Sequence, residues 1–163
     1  MEPRISIITL GVDDLDRAAR FYEAMGLERN EKITEGVAFF QMGGMILALW
    51  PREELARDAG KEYRRPFPSS GIAVTEAGER RFGAEAPETF SGVALAYNTR
   101  SEAEVSYILE RAEKAGGRIV KPAQRAFFGG LQGYFEDTEG NLWEVAHNPD
   151  FPIDAEGRIS LPS

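Results

Sequence analysis

Few side chains in this sequence can act as nucleophiles, acid–base groups or soft-metal ligands. The 163 residues include one histidine, His147, and no cysteine. Without cysteine the chain cannot build a disulfide framework, a zinc ribbon or an iron–sulfur cluster, because each needs sulfur. One histidine cannot supply a multi-histidine metal site from a single copy of the chain. A metal ion would therefore depend on carboxylates, which favour hard ions such as magnesium or manganese.

Glu144 is the carboxylate whose position is most suggestive of a site. It lies between Trp143 and Val145 in a predicted strand, so alternation places Glu144 on one face and its two neighbours on the other. In an apolar environment this carboxylate is suited to contact a cationic ligand or to transfer a proton. The alternative is a structural carboxylate held by a neighbouring Arg or Tyr. We favour ligand contact over the structural role and over catalysis.

His147 and Arg125 are weaker candidates. His147 follows Glu144 by three residues, an odd offset that points it to the other face of the strand. No acidic or nucleophilic partner is spaced beside it, so we expect a structural hydrogen bond to the Asn148-Pro149 segment rather than a catalytic base. Arg125 is either a ligand for an anionic group or a solvated surface residue, and the sequence favours the second.

Composition and charge indicate a folded protein that binds something small. The net charge of −8 argues against nucleic acid and anionic membranes as partners, since both attract basic patches, and a neutral or cationic ligand is easier to accommodate. A hydrophobic content of 42% suits one domain, or two half-size units in one core. No apolar run approaches the roughly 20 residues that span a bilayer. We expect a soluble, cytoplasmic protein.

The predicted elements occur in the same order twice. The first half is predicted to contain a strand over 4–12, a helix between an Asp13 N-cap and Gly26, and strands over 36–42 and 45–50. The second half is predicted to contain a strand over 92–97, a helix between the capping box Ser101–Glu104 and Gly116, strands over 118–120, 131–136 and 142–146, and a loop over 122–130. Val12 and Asn98 take matching positions. The chain is therefore an internal duplication.

This duplication defines the domain organisation. We predict a single domain over 1–163, with module one at about 4–52, a connecting loop at about 53–89, module two at about 90–150 and a C-terminal tail at 151–163. Within the loop, only a short helix over 52–59 and a short strand over 72–74 are predicted.

Two segments resemble the vicinal oxygen chelate superfamily, which includes glyoxalase I, extradiol dioxygenases and bleomycin-resistance proteins. Val12–Leu27 is similar to the first helix of that family, and Asp137–Val145 is similar to its closing turn and strand, usually written DPDGNxxE. The resemblance implies an α+β fold, in which two tandem βαβββ modules form a curled mixed sheet around a central cup with the helices outside.

The same resemblance implies where a metal would bind. Metal-using members take one ligand from the first strand and one from the last strand of each module, and the matching positions here are Ile7, Ala48, Val93 and Glu144. Three of these side chains have no lone pair, and one carboxylate does not hold a divalent ion against water. We therefore expect no metal at this site and no cofactor.

Alternation predicts the wall of the cup. Three sets of side chains each share a strand face, namely Ile5, Ile7 and Thr9, then Ile46, Ala48 and Trp50, then Val93, Leu95 and Tyr97. If these faces line the cup, the wall is apolar with aromatic plates and suits a flat or hydrophobic ligand. Ordinary core packing is the alternative, and for Trp50 and Tyr97 it stays open. The segment Phe127–Gly133, which includes Phe128, is either a lid that closes on the ligand or a glycine-rich hairpin.

These observations predict a small-molecule-binding protein that is homodimeric, metal-independent and selective for an apolar or aromatic ligand. One alternative is a lyase, isomerase or dioxygenase that uses Glu144 as a metal ligand or acid–base group. Another is a regulatory domain, for which the cup would be filled by side chains.

Overall fold

Two similar units make up most of the chain. The computed structural model describes residues 4–63, 72–74, 80–82 and 91–161. Module one consists of β1 (Ile7–Val12), α1 (Leu15–Ala24), β2 (Ala38–Met42) and β3 (Met45–Pro51). Its sheet has the order β1-β3-β2, with β1 parallel and β2 antiparallel to β3. One isolated bridge between Arg29 and Phe40 lies at the free side of β2.

The connecting region carries more regular structure than we predicted. The expected short helix is α2 (Arg52–Asp58), and the expected strand is β4 (Ile72–Val74). A further strand, β5 (Arg80–Phe82), pairs with β4 in an antiparallel hairpin. Residues 64–71, 75–79 and 83–90 lie outside the described residues.

Module two has the element order of module one with one additional strand after its helix. It consists of β6 (Leu95–Asn98), α3 (Glu102–Lys114), β7 (Arg118–Arg125), β8 (Leu131–Glu136) and β9 (Leu142–His147). Its sheet has the order β6-β9-β8-β7, with β6 parallel to β9. The predicted fold is confirmed: two mixed sheets curl around a cup, with helices on the outside.

The strand after α3 is longer than predicted. We expected it to end at Val120 and to be followed by a loop, but β7 continues to Arg125. Pro122 is tolerated because β7 is an edge strand whose pairing with β8 is irregular between Ile119 and Gln124.

The helix starts differ in detail from those predicted. Asp14, not Asp13, caps α1, and its carboxylate accepts a hydrogen bond from the Arg17 amide at 2.9 Å. The Asp13 amide instead donates to Glu139 Oε2 at 2.6 Å, a contact from module two. At α3, Ser101 is the N-cap but its hydroxyl donates to Glu104, while Glu104 accepts from the Arg100 amide. The predicted capping box is therefore wrong, because Ser101 accepts no first-turn amide and Glu104 accepts from the Arg100 amide instead of the Ser101 amide.

A single hydrophobic core lies between the helices and both sheets. Its fully buried large side chains come from both modules: Val12, Phe21, Phe40, Leu49, Val105 and Val145. In α3 the buried face consists of Val105, Leu109 and Ala112, with Ile108 and Ala115 partly buried beside them. We call the opposite face of each sheet, which points away from this core, the concave face.

A buried polar contact joins the two modules within this core. The Tyr22 hydroxyl on α1 donates to Asp137 Oδ2 at 2.6 Å and accepts from Trp143 Nε1 at 3.1 Å. Asp137 also accepts from the amides of Glu139 and Asn141, which closes the turn between β8 and β9. One carboxylate therefore holds both its own turn and the helix of the other module.

This contact predicts a specific alkaline sensitivity. Burial, followed by the charge of Asp137 and the hydrogen bond to it, raises the pKa of Tyr22 well above its usual range. Because the folded protein keeps the proton that an unfolded Tyr loses near pH 10, the stabilisation is complete below about pH 10 and decreases above it.

We therefore expect the stability difference between wild type and Tyr22→Phe to be constant from neutral pH to about pH 9. Above about pH 10 it should shrink by about 1.4 kcal/mol per pH unit. Urea unfolding at a series of pH values measures this, and a difference that stays constant through pH 11 would contradict it.

No helix within the described ranges is long and apolar enough to cross a membrane.

Candidate functional site

The concave face of module one is apolar. Ile7 on β1 is the register partner of Ile46 on β3, and Thr9 is the partner of Ala48, which in turn pairs with Phe39 on β2. These residues alternate with core residues such as Leu47 and Leu49, so they point away from the helices. The predicted shared face of Ile46, Ala48 and Trp50 is therefore confirmed.

A cavity of about 770 Å³ opens on this face. Its floor includes Ile7, Phe39 and Ile46, and its side is the segment 26–33. Asn30 holds this segment, because its side-chain oxygen accepts from the amides of Lys32 and Ile33 at 2.9 and 3.1 Å. The volume lies in the range of small-molecule sites, which is roughly 300–1,000 Å³. This cavity is lined by module one alone, so it does not decide between an open cup and one filled by side chains.

The concave face of module two is polar. Glu144 on β9 is the register partner of Tyr134 on β8, which is the partner of Lys121 on β7. Gln132 lies beside them. With its amide oriented to satisfy the hydrogen bonds, Nε2 donates to Glu144 Oε1 at 2.8 Å and Oε1 accepts from Lys121 Nζ at 3.3 Å. We call these four residues the polar cluster.

Tyr134 is the group in the polar cluster whose protonation is perturbed. Partial burial raises the pKa of Tyr134, and both the negative charge of Glu144 and a hydrogen bond with it raise the pKa further. Lys121 lies over the Tyr134 ring, with Nζ 5.6 Å from the centroid. The hydroxyl of Tyr134 thus stays protonated at neutral pH and is a donor toward Glu144.

The face of β6 is shifted by one residue from our prediction. Ala96 is the register partner of Glu144, whereas Leu95 pairs with Trp143 and packs against the core. Thr99, not Asn98, precedes the helix cap of module two by the same two residues as Val12 in module one, and both are buried. The counterpart of Ile7 is therefore Ala94 rather than Val93.

This shift does not restore a metal site. The four positions become Ile7, Ala48, Ala94 and Glu144, and only the last has a donor atom. Within residues 4–63 and 91–161, no three His, Asp or Glu side chains are grouped so that they could hold an ion. The donor set at the family position does not fit a divalent metal.

The aromatic candidates lie at different places around the cup. Trp50 is half-buried on the concave face, and its Nε1 donates to Glu54 at 3.2 Å. Tyr97 is 45% exposed and is the partner of Val145, so it shares its face with the core residues of β9 and not with Glu144. Val93 is 60% exposed just before β6. Neither position shows contact with a ligand, so the ligand-binding roles of Val93 and Tyr97 stay predictions.

The segment Phe127–Gly133 forms a closed hairpin turn. The Ala126 amide donates to the Gly130 carbonyl at 3.0 Å, and the Gly129 amide donates back to Ala126 at 3.1 Å. Phe128 is half-buried at this turn, while Phe127 is fully exposed at its tip. These hydrogen bonds define a hairpin, and the role of this hairpin as a lid over a ligand stays a prediction.

Arg125 and His147 are engaged in structural contacts. Arg125 donates to Glu102 at 2.5 Å, and this hydrogen bond lowers the pKa of the Glu102 carboxyl. His147 Nδ1 lies 3.2 Å from the Thr99 carbonyl, so its contact is with the start of module two's helix and not with the predicted Asn148-Pro149 segment.

Sequence reasoning missed Lys121, Gln132 and Tyr134. The sequence could have indicated Gln132 and Tyr134, because two polar residues two positions apart in β8 lie on the same face of the strand. Lys121 was not identified because the predicted strand ended at Val120, one residue before it.

Comparisons with known proteins agree with the observed fold. A family model described as the glyoxalase/bleomycin resistance protein/dioxygenase superfamily matches residues 4–145. No curated protein sequence matches the chain. Among solved structures, a glyoxalase-related enzyme from Fulvimarina pelagi is 33% identical, with 99% of each chain covered and a TM-score of 0.78.

Two further solved structures are less similar. A lactoylglutathione lyase from Agrobacterium tumefaciens is 26% identical, with 89% of this chain and 93% of that chain covered and a TM-score of 0.58. A glyoxalase/bleomycin resistance protein/dioxygenase from Nocardioides is 23% identical over 90% of this chain and 84% of that chain, with a TM-score of 0.63. The second of these supports the fold alone.

Proposed function

Because the chain belongs to the glyoxalase/bleomycin resistance protein/dioxygenase superfamily, we propose that it binds a small apolar or aromatic molecule in its cup without a metal ion. The cavity on module one is the observation that carries this proposal. Its lining combines the apolar side chains of Ile7, Phe39 and Ile46 with the largely charged segment 26–33, which Asn30 holds. Apolar surface beside a few polar groups is typical of ligand sites.

Metal independence is supported by the chemistry of the donor positions. Ile7, Ala48 and Ala94 offer no lone pair, and Glu144 is already engaged by Gln132. A divalent ion would have to compete for one carboxylate with water supplying the remaining ligands.

The proposed ligand contacts follow from the concave face. Ile7 and Ala48 contribute apolar surface, and Trp50 contributes an aromatic ring at the edge of the concave face of module one. Phe128 is proposed at the rim and Glu144 in the floor of module two. The predicted contacts of Val93 and Tyr97 would require a ligand that extends beyond the concave face, since Tyr97 shares its face with core residues of β9. The homodimer also stays a prediction. Light scattering would test it by measuring the molecular mass of the protein in solution.

A neutral fluorescent probe tests the proposed site. We expect N-phenyl-naphthylamine to bind with enhanced emission, and Ile7→Lys to weaken its binding by about 10-fold or more because a charge would lie in the apolar floor. Ile159→Lys is the matched control, since Ile159 is exposed to a similar extent, 47% against 49%, but lies in the C-terminal segment. If the probe does not bind the wild type, or if both variants lose the same amount of probe affinity, the proposal is wrong.

Proton transfer by Glu144 is a second candidate function. The specific observation in its favour is that Gln132 and Tyr134 hold the carboxylate in a fixed position on the concave face. In a substrate screen, Glu144→Gln would retain binding and lose turnover. Turnover that persists unchanged in this variant would rule out the role.

A further inference from the structure

The polar cluster forms a continuous row across the sheet of module two. Lys121, Tyr134, Glu144 and Ala96 are successive register partners on β7, β8, β9 and β6. Cross-strand partners have Cβ atoms about 5 Å apart, so their side chains meet. The opposite face of the same strands carries the core residues Phe135 and Val145. The row is therefore on the concave face, where a ligand in the cup would meet it.

Lys121 carries the positive charge of this row. Its ammonium group contacts a neutral amide oxygen of Gln132 and the face of the Tyr134 ring. Within the part of the chain that the structure describes, no carboxylate lies within ion-pair distance of it. An amide dipole and an aromatic ring each offer only partial negative charge, so the half-buried ammonium lacks an anionic partner.

Gln132 keeps the two charges of the row apart. Its amide nitrogen is directed to Glu144 and its amide oxygen to Lys121, so the carboxylate is satisfied by amide and hydroxyl donors rather than by the ammonium. This orientation is the one that suits an ionised Glu144 beside a charged Lys121. Lys121 is therefore available to an outside anion, although Glu144 is close by.

The small side chain at the end of the row and the flexible stem of Lys121 both favour contact with a ligand. Ala96 ends the row with a small, exposed side chain, and Lys121 is on edge strand β7 with a flexible stem that can follow a ligand. The net charge of −8 disfavours anions at long range, but at contact distance the local ammonium determines the interaction.

We propose that the ligand carries a carboxylate, which Lys121 binds, while its aromatic or aliphatic body lies on the apolar face of module one. This inference rests on the proposed function and specifies its ligand class as an organic carboxylic acid. It also revises the expectation, drawn from net charge alone, that the ligand is neutral or cationic.

A matched pair of ligands separates this inference from the proposed function. Naphthoate and naphthamide have the same ring system, and only naphthoate is charged. By calorimetric titration we expect wild type to bind naphthoate about 10-fold more tightly than naphthamide. Lys121→Met should remove this preference by weakening naphthoate binding, with naphthamide binding changed by less than about 2-fold.

Lys114→Met is the control variant, because Lys114 is 80% exposed on α3 and paired with Glu110. It should retain the full preference for naphthoate. If wild type binds naphthoate and naphthamide equally, or if Lys121→Met keeps the preference, the carboxylate inference is wrong while the binding site stands. If neither compound nor the neutral probe binds wild type, the proposed function itself fails.

Discussion

Asp137→Ala is expected to lower the free energy of unfolding by about 3 kcal/mol, the largest stability effect of any single substitution proposed here. The Asp137 side chain accepts hydrogen bonds from the Tyr22 hydroxyl, from the amides of Glu139 and Asn141 and from the Asn141 side chain. Alanine removes all four at once and leaves a buried tyrosine hydroxyl without its acceptor. Buried donors that lose a partner cost about 1–3 kcal/mol each when water cannot replace it.

Thermal unfolding measures this loss. For a chain of this length, about 3 kcal/mol corresponds to a fall in Tm of about 6–12 °C. Asp150→Ala is the matched control, since Asp150 is exposed and follows the last strand, and its Tm should change by less than about 2 °C. Equal Tm values for Asp137→Ala and wild type would contradict the role of this turn in joining the modules.

Ile7→His combined with Ala94→His is expected to create a divalent-metal site where the wild type has none. These two positions, with Glu144, correspond to three of the four ligand positions of metal-using relatives. Two histidines and one carboxylate form a three-ligand set that binds zinc or nickel in many proteins. Both native side chains are exposed, so the substitutions are compatible with folding. We expect Ni²⁺ to bind with a dissociation constant of about 10 µM or tighter.

The control for this variant places the second histidine one residue earlier. Ile7→His combined with Val93→His carries the same ligands, but alternation along the strand directs the second imidazole to the other face. It should bind Ni²⁺ at least about 10-fold more weakly. Equal affinity of the two double variants would contradict the equivalence of Ile7 with Ala94.

The architecture was predictable from sequence because its signals are long and repeated. Both helices have apolar side chains at helical spacing, and glycines such as Gly26 and Gly116 adopt the positive φ that ends each of them. The closing turn at Asp137 has a side chain that can satisfy several amides, which few residue types can do. These features identified the duplication and the family before any contact was known.

The site was less predictable because it depends on register. The predicted alignment matched Val12 with Asn98, whereas equal offsets to the two helix caps match Val12 with Thr99, which places Ala94 and Ala96 on the concave face in place of Val93 and Leu95. Since side chains alternate with a period of two, an error of one residue reverses the face of the whole strand. The sequence alone left open whether Asp13 or Asp14 caps α1, and the cap at Asp14 together with the pairing of β6 with β9 decides the alignment.

The polar cluster was missed for a related reason. Lys121, Gln132 and Glu144 are distant in sequence and meet only through pairing of β7, β8 and β9. Pro122 suggested the end of a strand, although an edge strand accommodates it. Charge counted over the whole chain likewise gave no indication of an unpaired ammonium at one position.

Metal content together with ligand binding tests the central claim most directly. The protein is to be expressed in medium supplemented with magnesium, manganese, zinc and nickel, purified without chelator, and measured by elemental analysis. N-phenyl-naphthylamine binding is then compared before and after treatment with EDTA. We predict well below one ion per chain and an unchanged probe affinity. One ion per chain, whose removal by EDTA abolishes probe binding, would contradict a metal-independent binding cup.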